Sequence, residues 1–144
     1  MNMLARVLRI FLGALFVVAG VLKALDPANF AADIDHYRLL PYFALAPLAL
    51  YLPWLEIICG LAMIASCHFR RSALILLLAM TVIFTGAVVS ALLRHLDITC
   101  GCFGAASALP LSFALARNIV LLLMLGWLLR SEGRRAKPGA PGGG

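Results

Sequence analysis

Cys100-Gly101-Cys102-Phe103-Gly104 sets two thiols one residue apart at the point where a long apolar stretch stops. Thiols that close can trade a disulfide. Closing a ring across one residue brings the two Cα atoms near the short limit of disulfide geometry, which makes the bond strained and easily reduced. Gly101 relieves part of that strain because it carries no Cβ. The plain alternative is two buried cysteines that are neighbours without chemistry. Arg94 and His95, a few residues upstream, are placed to favour an attacking thiolate. With His95, the same pair also forms a ligand set for a soft metal such as Cu(I) or Zn. Cys59 and Cys67 lie on one apolar run, roughly 12 Å apart at helical rise, too far to bridge. Cys59 reads as a small core hydrophobe, and Cys67 faces a reducing compartment beside His68.

Ionisable side chains inside apolar runs are the second sign of chemistry, since in hydrocarbon they face a bundle interior or a wet cavity. Lys23, Glu56, Arg117 and Asn118 form such an intramembrane polar set. Counted from Pro47 and Pro110 at helical rise, Glu56 lies ~13 Å and Arg117 ~10 Å below the same membrane boundary. The expectation is therefore a Glu56–Arg117 pair, with Asn118 adding hydrogen bonds beside it. Lys23 shares its helical face with Phe16, Ala19 and Gly20, small residues among them, and is expected to point inward. The cluster suits either fixing helix register or holding a substrate or quinone head group.

These groups need elements to carry them, and composition supplies the class. The 144 residues are 64% hydrophobic and 12% charged, with mean hydropathy +1.03, well beyond a soluble domain. A span takes about 20 apolar residues, so four crossings fill the chain and leave no room for a separate catalytic module. The runs expected to cross are residues 7–25, 42–66, 72–93 and 109–129, with Pro47 as a first helical residue and Pro53 as a kink. Because Lys23 and Asp26 follow the first run without a small-residue cleavage site, that run is expected to stay as an uncleaved helix. Asp26 and Pro27 make an N-cap and first turn. After them Phe30, Ile34, Tyr37 and Leu40 recur opposite Asp33, Asp35 and Arg38, which predicts a short amphipathic helix lying on the outer leaflet or capping the bundle. The expected organisation is an all-α four-helix membrane domain over residues 1–130 and a basic, disordered Gly/Pro-rich tail over 131–144.

Lys and Arg set the orientation. One side holds eight (Arg6, Arg9, Arg70, Arg71, Arg130, Arg134, Arg135, Lys137) and the other three (Lys23, Arg38, Arg94). That bias predicts both termini in the cytoplasm and the Cys-Gly-Cys loop facing the periplasm of a bacterial inner membrane. The net charge of +6 thus reports topology and contact with a lipid bilayer, not nucleic acid.

Gly13-Ala14-Leu15-Phe16-Val17-Val18-Ala19-Gly20-Val21-Leu22-Lys23, Leu52-Pro53-Trp54-Leu55-Glu56 with Gly60, the Cys-Gly-Cys-Phe-Gly loop and Arg117-Asn118 together resemble the MauE branch of the DoxX-like membrane proteins. The likeness runs over residues 7–129. Its Gly-Lys and Pro-Glu elements are common to wider DoxX-like proteins, whereas Cys-Gly-Cys-Phe-Gly ahead of Arg-Asn is specific in combination. The resemblance implies a four-helix membrane protein tied to thiol-disulfide chemistry in the bacterial periplasm. MauE is linked to maturation of the disulfide-rich small subunit of methylamine dehydrogenase, beside a thioredoxin-like partner.

Three functions stay open at this point. In the first, Cys100 and Cys102 exchange with a periplasmic thioredoxin-like protein or a client while Lys23, Glu56, Arg117 and Asn118 hold the bundle around the loop. The second is a thiol oxidoreductase that uses quinone as cofactor. The third is a soft-metal-binding membrane protein. A second cysteine pair on the exported side would favour a self-contained oxidase relay, and the sequence has none there, so the partner-dependent reading leads.

Overall fold

Four runs of apolar residues place a backbone in lipid, where every peptide N–H and C=O must find its partner within the segment, and helices are the outcome. The computed structural model describes residues 3–65, 68–96 and 110–134. Among them are α1 (Met3–Leu25), α2 (Pro27–His36), α3 (Tyr42–Ala65), α4 (Arg70–Leu93) and α5 (Leu111–Gly133), with no strand. The four long helices have 23 or 24 residues each and are apolar enough to cross a membrane. At 1.5 Å per residue they reach about 35 Å, more than the ~30 Å of hydrocarbon. Val18, Ile58, Ile83 and Leu123 are exposed on the outside of the bundle, as lipid-facing residues should be.

The closest packing is between α1 and α3, and glycine makes it so. A Cβ on Gly13 would stand 2.9 Å from the Gly60 carbonyl oxygen, one on Gly60 2.8 Å from that of Gly13, and one on Gly20 2.7 Å from that of Pro53. Small residues let the backbones touch. Below this, Leu12, Phe16, Cys59, Met63, Leu74, Leu77, Leu125 and Leu128 form one core. Cys59 is thus a packed core residue, as its helix-interior position suggests.

Asp26 caps α2 by accepting a hydrogen bond from the Asn29 N–H at 3.1 Å, with Pro27 in the first turn. Phe30 is buried, and α2 packs chiefly on α3, so α2 covers one end of the bundle, the capped end. Tyr37, just past α2, is buried in a second cluster with Val88, Ala91 and Leu111. Leu40, expected on the same apolar stripe, is exposed because the helix stops at His36. Arg38 and His95 adopt positive φ of 49° and 51° just beyond the ends of α2 and α4, where a left-handed residue closes the last turn. Arg94 Nη1 donates to the Tyr37 carbonyl at 3.2 Å and ties the two chain reversals together.

Three boundaries differ from the sequence expectation. Pro47 lies inside α3 rather than opening it. The first turn forms at Pro41, whose carbonyl accepts from the Ala44 N–H at 2.9 Å. At the other end of the bundle, α5 continues past Leu129 to Gly133, so residues 131–133 belong to the helix and not to a tail. Glu132 meets Arg70 of α4 at 3.4 Å, and the Ser131 hydroxyl donates to the Leu128 carbonyl. Finally, α1 begins at Met3 rather than at residue 7, which brings Arg6 into the helix, and Arg9 is buried. Residues 135–144, the rest of the tail expected over 131–144, lie outside the described residues.

Candidate functional site: a buried ion pair beside a cleft

In helices a Cβ tilts toward its own N-terminus. On α1 that leans Lys23 down, away from the capped end, and on the antiparallel α3 it leans Glu56 up toward it. They meet where Gly20 and Pro53 bring the two helices together. The Lys23 ammonium lies 2.7 Å from Glu56 Oε1 and 2.9 Å from Oε2, with only 4% and 5% of the two residues exposed. Two rings complete the enclosure: Nζ is 5.2 Å from the centroid of Phe30 on α2 and 5.5 Å from that of Phe84 on α4. Both distances fall within cation–π reach.

The Glu56–Arg117 pair expected from depth alone is therefore corrected: Glu56 takes both hydrogen bonds from Lys23. Depth places residues at one level without fixing which way each helix is turned, and α3 packs far more intimately on α1 than α5 does. Arg117 instead directs Nη2 to the neighbouring Asn118 Oδ1, at 3.4 Å. Lys23, Glu56, Arg117 and Asn118 still line one cleft, so the four are brought together as a set though not in the expected pairing.

That cleft draws its walls from all four long helices. Phe16 and Ala19 come from α1, Thr81 and Phe84 from α4, and Leu121 from α5. About 50 Å³ is open to the centres of water-sized molecules, room for roughly three to five waters. The Thr81 hydroxyl donates to the Leu77 carbonyl at 2.7 Å, a local bond that satisfies it within its own helix. Asn118 is 4% exposed, and its Nδ2 has no hydrogen-bond partner among the described residues.

Sequence reasoning missed the two rings around the ammonium. Phe30 was visible as part of the apolar stripe of α2, whereas nothing in the uniformly apolar α4 distinguishes Phe84. Cys100 and Cys102 lie outside the described residues, as does Cys67. The chain leaves the described region at Leu96 and returns at Pro110, and the flanking Ala91 and Leu111 share the Tyr37 cluster at the capped end. Among the described residues, no group of three His, Cys, Asp or Glu side chains is placed to hold a metal.

Residues 1–131 match the family described as methylamine utilisation protein MauE, a span that holds α1 to α4 entire and most of α5. The chain belongs to the MauE family. It is 33% identical to the methylamine utilization protein MauE of Paracoccus denitrificans over 116 residues, covering 79% of this chain and 62% of that protein. It is 31% identical to the MauE of Methylophilus methylotrophus over 96 residues, covering 65% and 49%. The chain thus spans about half to three fifths of the length of these curated MauE relatives. No solved structure matches it significantly. With four membrane-length helices and this membership, the chain is a multi-pass membrane protein.

Proposed function

We propose that this MauE-family chain supports thiol-disulfide exchange during maturation of a periplasmic protein of methylamine utilisation, with a thioredoxin-like partner. The observation that carries the proposal is the position of Cys100-Gly101-Cys102 in the chain: it interrupts the segment whose two flanks are fixed at the capped end. The eight-to-three distribution of Lys and Arg supports placing that end on the periplasmic side, where disulfides persist. The names of the curated relatives support the methylamine connection. Kinship with the wider DoxX-like proteins is supported by the Gly20-to-Lys23 and Pro53-to-Glu56 elements, which here build the ion pair.

The exchange balances without a further reactant. A thiolate of the pair attacks a partner disulfide, forming a mixed disulfide and releasing one partner thiolate. The second thiolate then attacks the mixed disulfide, closing Cys100–Cys102 and releasing the second partner thiolate, so two electrons pass to the partner. The reverse sequence oxidises a dithiol client. The buried ion pair and the Arg94–Tyr37 tie contribute a fixed end of the bundle from which the loop is presented.

Trapping tests this reading. Cys100→Ser or Cys102→Ser should leave the other cysteine in a covalent adduct with a thioredoxin-like protein or client, seen on a non-reducing gel and removed by reductant. Absence of an adduct from both single variants, with full biological activity in the double variant, would rule thiol exchange out.

A further inference from the structure

Most polar groups of the cleft already have a partner within the protein. Both Glu56 oxygens are taken by Lys23, the Thr81 hydroxyl is spent on its own helix, and Asn118 Oδ1 accepts from Arg117. Asn118 lines the same cleft, and its buried Nδ2 is a donor that finds no acceptor among the described residues. A buried amide N–H without an acceptor is costly, which favours an oxygen in the cleft beside it. The rest of the wall is apolar, with Phe16, Ala19, Phe84 and Leu121 around the polar end.

Access has a direction as well. Leu15 on α1 and Leu121 on α5 line the cleft and are only half-buried, and α1 and α5 are the least engaged neighbouring pair of long helices. A molecule dissolved in the bilayer reaches the cleft sideways through this seam without passing through the capped end. The open volume takes a small head group, and the body of the molecule lies along the apolar rim.

We infer that the cleft between α1, α4 and α5 is a binding site for a membrane-dissolved molecule that presents an oxygen acceptor, a carbonyl or carboxylate, to the Asn118 amide. The acceptor oxygen takes the hydrogen bond that Nδ2 lacks, and the guanidinium of Arg117 at the same wall favours electron-rich oxygen. The Lys23–Glu56 pair stays closed on itself and leaves the site free of an exposed carboxylate that would repel such an oxygen. The assignment stands on the cleft alone and does not depend on the thiol exchange proposed above.

The full chain in lipid nanodiscs, dialysed to equilibrium against decylubiquinone or palmitate and compared with empty nanodiscs, tests the inference. One probe or both should be retained saturably at one molecule per chain. Asn118→Leu should weaken retention about tenfold, the loss of one buried hydrogen bond at its upper end, and Leu121→Trp should weaken it by filling the rim. Because Leu121 forms part of the rim and makes no polar contact, that variant answers the question even where Asn118→Leu folds poorly. Retention of decylubiquinone identifies a ring carbonyl as the source of the oxygen, and retention of palmitate a carboxylate. Failure of both probes to bind saturably, or retention unchanged in both variants, overturns the inference. Either result leaves the outcome of cysteine trapping untouched, so the two proposals fail separately.

Discussion

Along α1 and α3, glycine lets backbone meet backbone and an ion pair is sealed between two rings; along α1 and α5 the helices barely touch, and a cleft opens beside Asn118. The two seams run side by side on the same helix, one turned to each neighbour. Sensitivity to substitution is concentrated in the first, because its buried charges depend on each other and its contacts leave no slack. Room is concentrated in the second, where half-buried side chains can give way without exposing charge. A bundle closed equally on every side would have no place for a ligand, and one open on every side could not keep Lys23 and Glu56 out of lipid.

Breaking the ion pair should expose the contrast most strongly. Lys23→Met or Glu56→Gln leaves its partner as an unpaired buried charge, and the expected loss is about 3–5 kcal/mol, read as a collapse of folded, monodisperse yield in mild detergent. The double variant Lys23→Met/Glu56→Leu removes both charges and should recover most of that yield. If either single variant folds as well as the parent, the pair is solvated and the seam is not sealed.

A smaller effect is expected from wedging the seam apart. Gly20→Leu drives a side chain against the Pro53 carbonyl and the Glu56 side chain, at a cost of about 1–3 kcal/mol, visible as a lower midpoint in thermal unfolding. Gly126 in α5 has nothing within 4 Å of where its Cβ would be. Gly126→Ala should therefore raise the midpoint, by the ~0.5–1 kcal/mol that alanine gains over glycine within a helix. The opposite signs at two helical glycines would localise the tight contact. Smallest of all, Leu121→Trp at the rim of the open seam should change stability by only about 0.5 kcal/mol, measured in the same unfolding experiment; a loss as large as that of Gly20→Leu would show the cleft to be packed shut.

Much of the fold was legible because lipid imposes a length and a composition on each crossing. The four spans and the Asp26-Pro27 start of α2 follow directly from that and from capping chemistry. Lys23 could be placed on the inner face because Ala19 and Gly20 accompany it. Its partner could not be read, since periodicity reports which side of a helix is buried without reporting how far one helix is rotated against the next. Pro47 misled for a related reason: proline suits a first turn, but Pro41 stands nearer the true start. The end of α5 was hidden because Ser131 and Glu132 look like a polar tail until Arg70 is seen across from them. Cys100 and Cys102 stand in the sequence alone, outside the described residues.

Lys23 and Glu56 are separated by 33 positions in the chain, and that interval has a meaning for biogenesis. A ribosome adding about 5–20 residues per second brings Lys23 to the membrane roughly two to seven seconds ahead of the carboxylate that neutralises it. Through that interval the ammonium sits near the end of its helix, where a long flexible stem can carry it to the headgroup layer. Only when α3 enters does the ammonium withdraw into the bundle. The order of synthesis thus turns a charge that first anchors a newly inserted helix at the membrane surface into the latch that recruits the next one.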